Sequence, residues 1–498
     1  MGLWQKMKDN VRDRLRSFLQ VQPPVVRSFT VEGDLDWAGL CIRNRLWYRG
    51  QAGELEQFFK QVPGATARRT FWAAVPTGGR EIEKLHIGLP SLVADTLTNI
   101  VVSDLQQVTC SDAHAQAAWD EMAEENDLDD LLSDAVREAL VIGDGAFRIS
   151  VLPHLSALPV VEFIPGDRVE LERERGRLKE VRFLTEVRDG ARRLVLVEAY
   201  GRGYVRTTLE DNGREVPLGT VAEYADVPPE VTWGGNFMMA VPLRFFPSKL
   251  HQGRGGSIFE AKSDSFDALD ECWSQWMDAL RKARTKEYVP DALVPRDPAT
   301  GAPIMPNAFD NAYLQVEGTM AEGVANKVEV VQPEIRHEGY LQTYTTALDL
   351  CLQGLISPST IGIDVKKLDN AEAQREKEKA TLYTRNQMVT ALQGALPRLV
   401  EACVWAWQTS KAAELTEFDV DVEFGEYANP SFESMVETVG KARVQGIMSV
   451  EACVDELYGD TRDAEWKAAE VERLNAERGI AQAGELTTGV TWSDLVGE

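Results

Sequence analysis

The stretch Ser257–Glu287, SIFEAKSDSFDALDECWSQWMDALRKARTKE, carries the pattern on which the fold turns. Phe266, Leu269, Trp273, Trp276 and Leu280 recur at three- and four-residue steps and so form one apolar stripe on a helix. Asp267, Glu271, Ser274 and Asp278 fall about 150° away, on the opposite face. Acids (Asp264, Asp267, Asp270, Glu271, Asp278) dominate the earlier turns. Bases (Arg281, Lys282, Arg284, Lys286) close the run, the direction a helix dipole favours. The spacing predicts one long amphipathic helix from about Ser257 to Glu287.

Working outward, Gly253-Arg254-Gly255-Gly256 reads as a glycine-rich joint leading into that helix. Before it the period is two. Phe147–Val151, Val160–Ile164, Val169–Leu171, Val181–Val187 and Leu194–Tyr200 are separated by the turn dipeptides Arg175-Gly176, Asp189-Gly190 and Asn212-Gly213, which predicts an antiparallel meander ending near Pro247. Residues from Leu40 to Asp144 read as mostly helical, with Asp95–Val101 and Asp127–Val141 clearly periodic. After the helix, Pro290–Pro306 is rich in proline, and Ala312–Val316 and Val328–Val331 read as strands. A second helix is expected over Arg336–Ile356, with Tyr340, Tyr344, Leu348, Cys351 and Leu355 on one stripe. Gln342, Thr346, Asp349 and Gln353 form its nearly uncharged opposite face, and Ser357-Pro358 stops it. Asp369-Asn370-Ala371-Glu372 resembles a capping box opening a third helix to about Gln408, which Pro397 should kink or split. Asp419–Phe424 alternates like a strand. The last 88 residues hold 7 Lys+Arg against 20 Asp+Glu, half the net charge of the whole chain.

At 498 residues the chain is too long for one ordinary core, and two to four domains are expected at roughly 100–200 residues each. A net charge of −26 argues against a protein that coats nucleic acid, because such binding neutralises phosphates with Lys and Arg. No apolar stretch reaches the ~18–20 residues needed to span a bilayer, so no membrane partner is expected. The six cysteines lie far apart with no C-x-x-C, which suits a reducing compartment. Residues 1–20 lack the apolar core of a signal peptide. Leu3, Met7, Val11, Leu15 and Phe18 instead mark an amphipathic arm decorated by Lys6, Lys8, Arg12, Arg14 and Arg16.

Enzyme templates fail in turn. There is no phosphate loop, no G-x-G-x-x-G after a strand, no H-E-x-x-H and no G-x-S-x-G. The five histidines show no ligand spacing, so no catalytic residue, metal or cofactor is assigned.

The order of these pieces resembles the portal, or head-to-tail connector, proteins of tailed double-stranded DNA bacteriophages. His86-Ile87-Gly88-Leu89-Pro90 with Ala94-Asp95 resembles an early helix of the family. Gly255-Gly256-Ser257 through Asp267-Ala268-Leu269-Asp270-Glu271 is similar to the start of its first stem helix. Ser357-Pro358-Ser359-Thr360-Ile361-Gly362-Ile363 followed by Asn370-Ala371-Glu372 is similar to its tunnel loop and the helix beyond. Gln445-Gly446-Ile447-Met448-Ser449 and Leu457-Tyr458-Gly459-Asp460 add likeness near the end. It spans about Leu40 to Arg478 and rests on the shared order of many pieces.

The resemblance implies an α+β multi-domain fold: arm 1–20, wing 21–256, stem helix one 257–288, clip 289–335, stem helix two 336–356, tunnel loop 357–369, wing helix and strand 370–429, and acidic helical crown 430–498. It implies a homo-oligomeric ring of about twelve subunits at one capsid vertex of a virion, assembled in the bacterial cytoplasm. Double-stranded DNA passes through the ring. Terminase large subunit, major capsid and scaffolding proteins, and a head-tail adaptor are the implied partners. Implied channel residues are Asp267, Glu271, Asp278, Arg281, Lys282 and Asp349 on the stem, with Ile361, Asp364, Lys366 and Lys367 in the tunnel loop. Trp273, Trp276, Tyr340 and Tyr344 are the implied subunit-packing residues. Two other classes stay open: a non-viral acidic scaffold or adaptor, and a metal-dependent nuclease of unrecognised type.

Overall fold

The computed structural model describes residues 31–32, 34–61, 70–75, 82–190, 192–284, 286–290, 296–302, 304, 312–316, 329–331, 333–362, 371–425, 432–458, 462 and 464–477. The chain is α+β and divides into two compact units, Met1–Phe424 and Gly425–Glu498. The basic arm at residues 1–20 lies outside the described residues. Among the described residues, no helix is long and apolar enough to cross a membrane.

In the first unit a short hairpin, β1 (Val31–Glu32) with β2 (Asp34–Leu35), precedes α1 (Trp37–Arg49). Asp36 caps α1 by accepting from Gly39 N at 2.9 Å, and Gly50 ends it in a left-handed turn at φ 65°. Then follow α2 (Ala52–Gln61), α3 (Leu89–Ser103), β3 (Leu105–Cys110), α4 (Ala113–Glu125) and α5 (Leu128–Ile142). Their apolar faces close on one core that includes Leu46, Trp47, Phe58, Leu97, Trp119 and Leu140.

The expected single meander is two sheets. β4 (Asp144–Ser150) pairs with β5 (Val160–Pro165) on one side and with β12 (Ala240–Arg244) on the other. The larger sheet holds β6 (Val169–Glu174), β7 (Arg177–Asp189), β8 (Arg192–Gly201), β9 (Tyr204–Asp211) and β10 (Arg214–Val216) in sequential antiparallel order, with β11 (Glu230–Thr232) also on β9. Its two-residue turns behave as their sequences predict. Arg175 and Gly176 take φ 50° and 81°, and Asn212 and Gly213 take 48° and 84°, the positive pair a right-twisted hairpin requires.

The glycine-rich joint is locked. Asp144, almost fully buried, accepts from Gly255 N at 2.7 Å and from Arg254 Nη2 at 2.8 Å. Arg254 Nη1 donates to Val169 O at 2.7 Å, and its guanidinium lies 4.3 Å from the Trp37 ring centre. A Cβ at Gly255 would stand 2.0 Å from Gly143 O, so glycine is required by the close approach of the two backbones.

Helix α6 then runs Ser263–Lys282, shorter at both ends than expected. At its start the backbone is committed elsewhere: Gly256 N donates to Phe246 O, Ile258 N to Leu140 O, and Ser257 Oγ accepts from Phe259 N. At its end the chain leaves the helix as strand β13 (Lys286–Pro290), which pairs in parallel with β14 (Ala312–Val316) and antiparallel with β15 (Glu329–Val331). Helix α7 (His337–Leu352) returns, and α8 (Ala371–Ser410) runs 40 residues with Pro397 inside it, so of the expected kink or split the split does not occur. From Met388 to Ala406 α8 buries its apolar side in the main core. Strand β16 (Val420–Phe424) pairs antiparallel with β3, a strand inside the region whose pattern predicts mostly helix.

In the second unit, α9 (Phe432–Val444), α10 (Val450–Tyr458) and α11 (Ala464–Glu477) pack around Val439, Val450 and Val454. Tyr458 meets Trp466 edge-on at 4.8 Å.

Candidate functional site: a helix pair with one open polar face

Helices α6 and α7 are antiparallel, since Trp273 meets Tyr344 (5.7 Å) while Trp276 meets Tyr340 (6.2 Å, interplanar 9°). Trp276 also touches Tyr344, and Trp273 lies edge-on to Trp276 at 5.9 Å. The four expected packing residues therefore form one aromatic seam within a single chain. Below it Phe266, Leu269, Leu348, Cys351 and Leu352 are buried. Leu280, assigned to the same stripe, is 42% exposed. Lys262 Nζ donates to Leu350 O and Gln353 O, both at 2.7 Å, holding a cation at the carbonyl end of α7.

Asp267 corrects the expectation of an open acidic face. It is only 8% exposed and accepts from Phe71 N (2.7 Å) and Trp72 N (3.3 Å). One turn on, Asp270 accepts from Ile87 N (3.2 Å) and Trp72 Nε1 (3.2 Å) and meets His86 Nδ1 at 2.7 Å. Ser274 Oγ accepts from Leu85 N at 2.9 Å. These three side chains share one helix face and bind the segments 71–72 and 85–87 through polar atoms that an apolar surface would leave unpaired. Burial pushes the Asp267 carboxyl up to about 6, against the opposing pull of its two amide donors; Asp270 is raised for the same first reason.

What remains open on α6 is the row Asp264, Ala268, Gln275 and Lys282, flanked by half-buried Glu271 and Asp278. Glu271 accepts from Gln275 Nε2 at 2.9 Å, and Asp278 pairs with Lys282 at 2.6 Å. The basic cluster predicted at this end is dispersed. Arg281 turns to Glu83, Lys282 stays on the open row, and Lys286 opens a strand. On α7 the expected face is open as drawn: Gln342, Thr346, Asp349 and Gln353 are all exposed. Together the two helices expose mixed, weakly charged polar side chains, with Leu280, Leu341 and Leu350 also exposed along the pair.

The segment after α7 is pinned to α8. Ser357 N donates to Thr381 Oγ1 at 2.8 Å, Thr384 Oγ1 donates to Leu355 O at 2.6 Å, and Thr360 lies 3.1 Å from Thr381 Oγ1. Ile361, expected in an open loop, is half-buried against the main core. Asp364, Lys366 and Lys367 lie outside the described residues, as does the expected capping box at Asp369.

Burial pushes the Cys351 thiol up to about 12, far from the thiolate a nucleophile needs. Among the described residues no three His, Cys, Asp or Glu side chains converge on a metal position. The carboxylates buried near the pair are spent on backbone amides, His86 and an indole. Sequence reasoning missed Asp270 and its partner His86, which lie 184 positions apart. The signal was present only as Asp267, Asp270 and Ser274 falling at i, i+3 and i+7.

No protein-family model matches the chain, and no curated protein matches it. Solved structures with related coordinates include the virion of a native gene transfer agent particle (13% identity, TM-score 0.40, covering 85% of this chain and 92% of that one). The neck of the native particle, computed with C12 symmetry, gives 14% identity and TM-score 0.38 over 74% of this chain and 90% of the other. The neck of the empty particle, computed with C6 symmetry, gives 13% and 0.37 over 75% and 93%. Scores this low establish no family and carry no functional argument.

Proposed function

We propose that the chain is a structural subunit of the head-to-neck region of a phage-like particle, and specifically a portal: a ring through which double-stranded DNA enters and leaves a capsid. The observation that carries this reading is the antiparallel pair α6–α7. It is zipped inside by aromatic rings, tied at its back by Asp267, Asp270 and Ser274, and left with one polar face uncovered. A helix pair so braced behaves as a strut whose remaining face is free to line something.

Simple geometry supports the ring. Twelve helices spaced ~10 Å apart define a circle of radius ~19 Å, and ~5 Å of helix thickness leaves a bore of ~28 Å, room for a duplex and a water layer. The open surface mixes Asp264, Gln275 and Lys282 with Gln342, Thr346, Asp349 and Gln353, so it lacks the dense cations that would bind phosphates and stop DNA sliding. In this reading β13–β15 form the clip facing terminase and the head-tail adaptor, and the second unit is the crown inside the capsid. Capsid and scaffolding proteins surround the ring, and the motor is another chain.

Native mass spectrometry of the purified chain tests the assembly. A closed ring of about twelve copies of the 55.4 kDa chain is expected, whereas a defined dimer or trimer would return the scaffold reading to the front.

A further inference from the structure

A groove of about 570 Å³ opens between β3, α4 and the first turn of α5, with Leu105, Val108, Trp119 and Leu128 along its floor and Asp120 and Asp129 on its rim. Gln116, also in its wall, donates to Val108 O at 3.3 Å and accepts from Cys110 N at 2.6 Å. That edge of β3 is therefore occupied there, and the groove offers side chains to an occupant.

Its charge is unbalanced. From Leu105 to Val136 the chain carries nine acids and no Lys or Arg. Asp120, Glu121, Glu124, Asp129 and Asp130 are exposed, and among the described residues none forms an ion pair. Other surface acids do find cations: Glu138 meets Arg45, and Glu162 meets Arg148. The apolar side chains lie among Gln106, Gln107 and Thr109, and on the acidic rim Asp120 accepts from Gln116 Nε2 at 2.7 Å; apolar patches inside a rim of acids fit a segment with apolar residues on one side and cations on the other.

The chain has one such segment. Met1–Gln20 holds five bases against two acids in a protein of net charge −26, with Leu3, Met7, Val11, Leu15 and Phe18 at helical spacing. We propose that Met1–Gln20 docks in this groove of its own chain, its apolar stripe on Val108, Trp119 and Leu128 and its bases among Asp120, Glu121, Glu124 and Asp129.

The reach is sufficient. Trp37 Nε1 donates to Gly166 O at 3.4 Å, and Arg254 links Gly166 to Asp144, two residues beyond the end of α5. The groove lies at the other end of α5, about 22 Å away at 1.5 Å per residue. Val31 faces Leu35 across the β1–β2 hairpin, which leaves residues 21–30 to cover the distance, up to ~33 Å when extended. The inference does not depend on the ring reading.

Zero-length carbodiimide cross-linking of the full chain decides it, using a mixture of isotopically light and heavy protein read by mass spectrometry. Amide links from Lys6 or Lys8 to Asp120, Glu121, Glu124 or Asp129, within light or within heavy chains only, are expected. Links to other acids, or links joining light to heavy, overturn it. A second arm uses Asp120→Lys with Asp129→Lys in the full chain. Tryptic cleavage between Lys6 and Arg16 should accelerate about tenfold, because release of the arm exposes it. Unchanged cleavage in a variant of normal thermal midpoint contradicts the docking.

Discussion

Asp267 is a carboxylate placed where burial and hydrogen bonding pull in opposite directions. Burial prevails, and the group sits at about 6, above the 3.9 of a free aspartate. The folded chain thus holds this proton more tightly than the unfolded one. The contribution of Asp267 to stability is full below about pH 4, falls as pH rises through 6, and amounts to about 3 kcal/mol across that window. In Asp267→Asn the thermal midpoint should fall less steeply between pH 4 and 7 than in the parent; parallel profiles would contradict the account. Gly255 makes the complementary steric point. Gly255→Ala puts a methyl group against the Gly143 carbonyl, and a loss of about 3 kcal/mol is expected in denaturant titration, with an unchanged midpoint counting against a locked joint. Gly255 was legible as part of a glycine-rich joint, but the Gly143 carbonyl that it meets was not. Asp267 looked like any acid on a polar helix face because its donors, Phe71 and Trp72, lie almost two hundred positions away.

At the scale of elements, periodicity revealed what each segment packs with locally and failed where the partner is remote. The hairpins of the larger sheet were readable because each strand pairs with the next through a turn dipeptide that admits positive φ. β3 was not, because its partner β16 follows after three hundred residues and a slanting Leu-Gln-Gln-Val pattern has no alternation of its own. The length of α6 was overestimated at both ends because its apolar stripe continues into residues whose backbones bond elsewhere. Pro397 failed to split α8 because buried neighbours on both sides, Leu396, Leu399 and Val400, hold the helix in the core. The α6–α7 seam was half legible. Its four aromatic residues were read as a subunit-packing set, whereas their contacts within one chain join the two helices to each other. Trp276→Ala should weaken that pairing by about 2 kcal/mol and lower ring yield, and Trp276→Phe should restore most of both. A variant that melts and assembles like the parent would remove the seam from the account.

On the scale of the whole molecule the acidity of the chain, a net charge of −26, bears on the proposed function. Under the proposed portal reading a conduit for DNA would have to avoid holding it, and 79 acids against 53 bases would do that without any specific contact. The small sheet of β13, β14 and β15 stands apart from the main core in sequence and is tied to it through α6 and α7. Removing Pro295–Pro306 should therefore leave assembly intact while abolishing binding to a motor or neck partner; loss of the assembly would show that this segment builds the ring itself. The order of parts was legible in the sequence, while the direction each helix face takes was not, because that depends on loops returning from the far side of the fold. The measurement that tests the central claim most directly is electron microscopy of the purified chain with class averages viewed end-on. The account predicts a closed ring of about twelve subunits around a hole near 28 Å, and a well-defined small oligomer without a hole would contradict it.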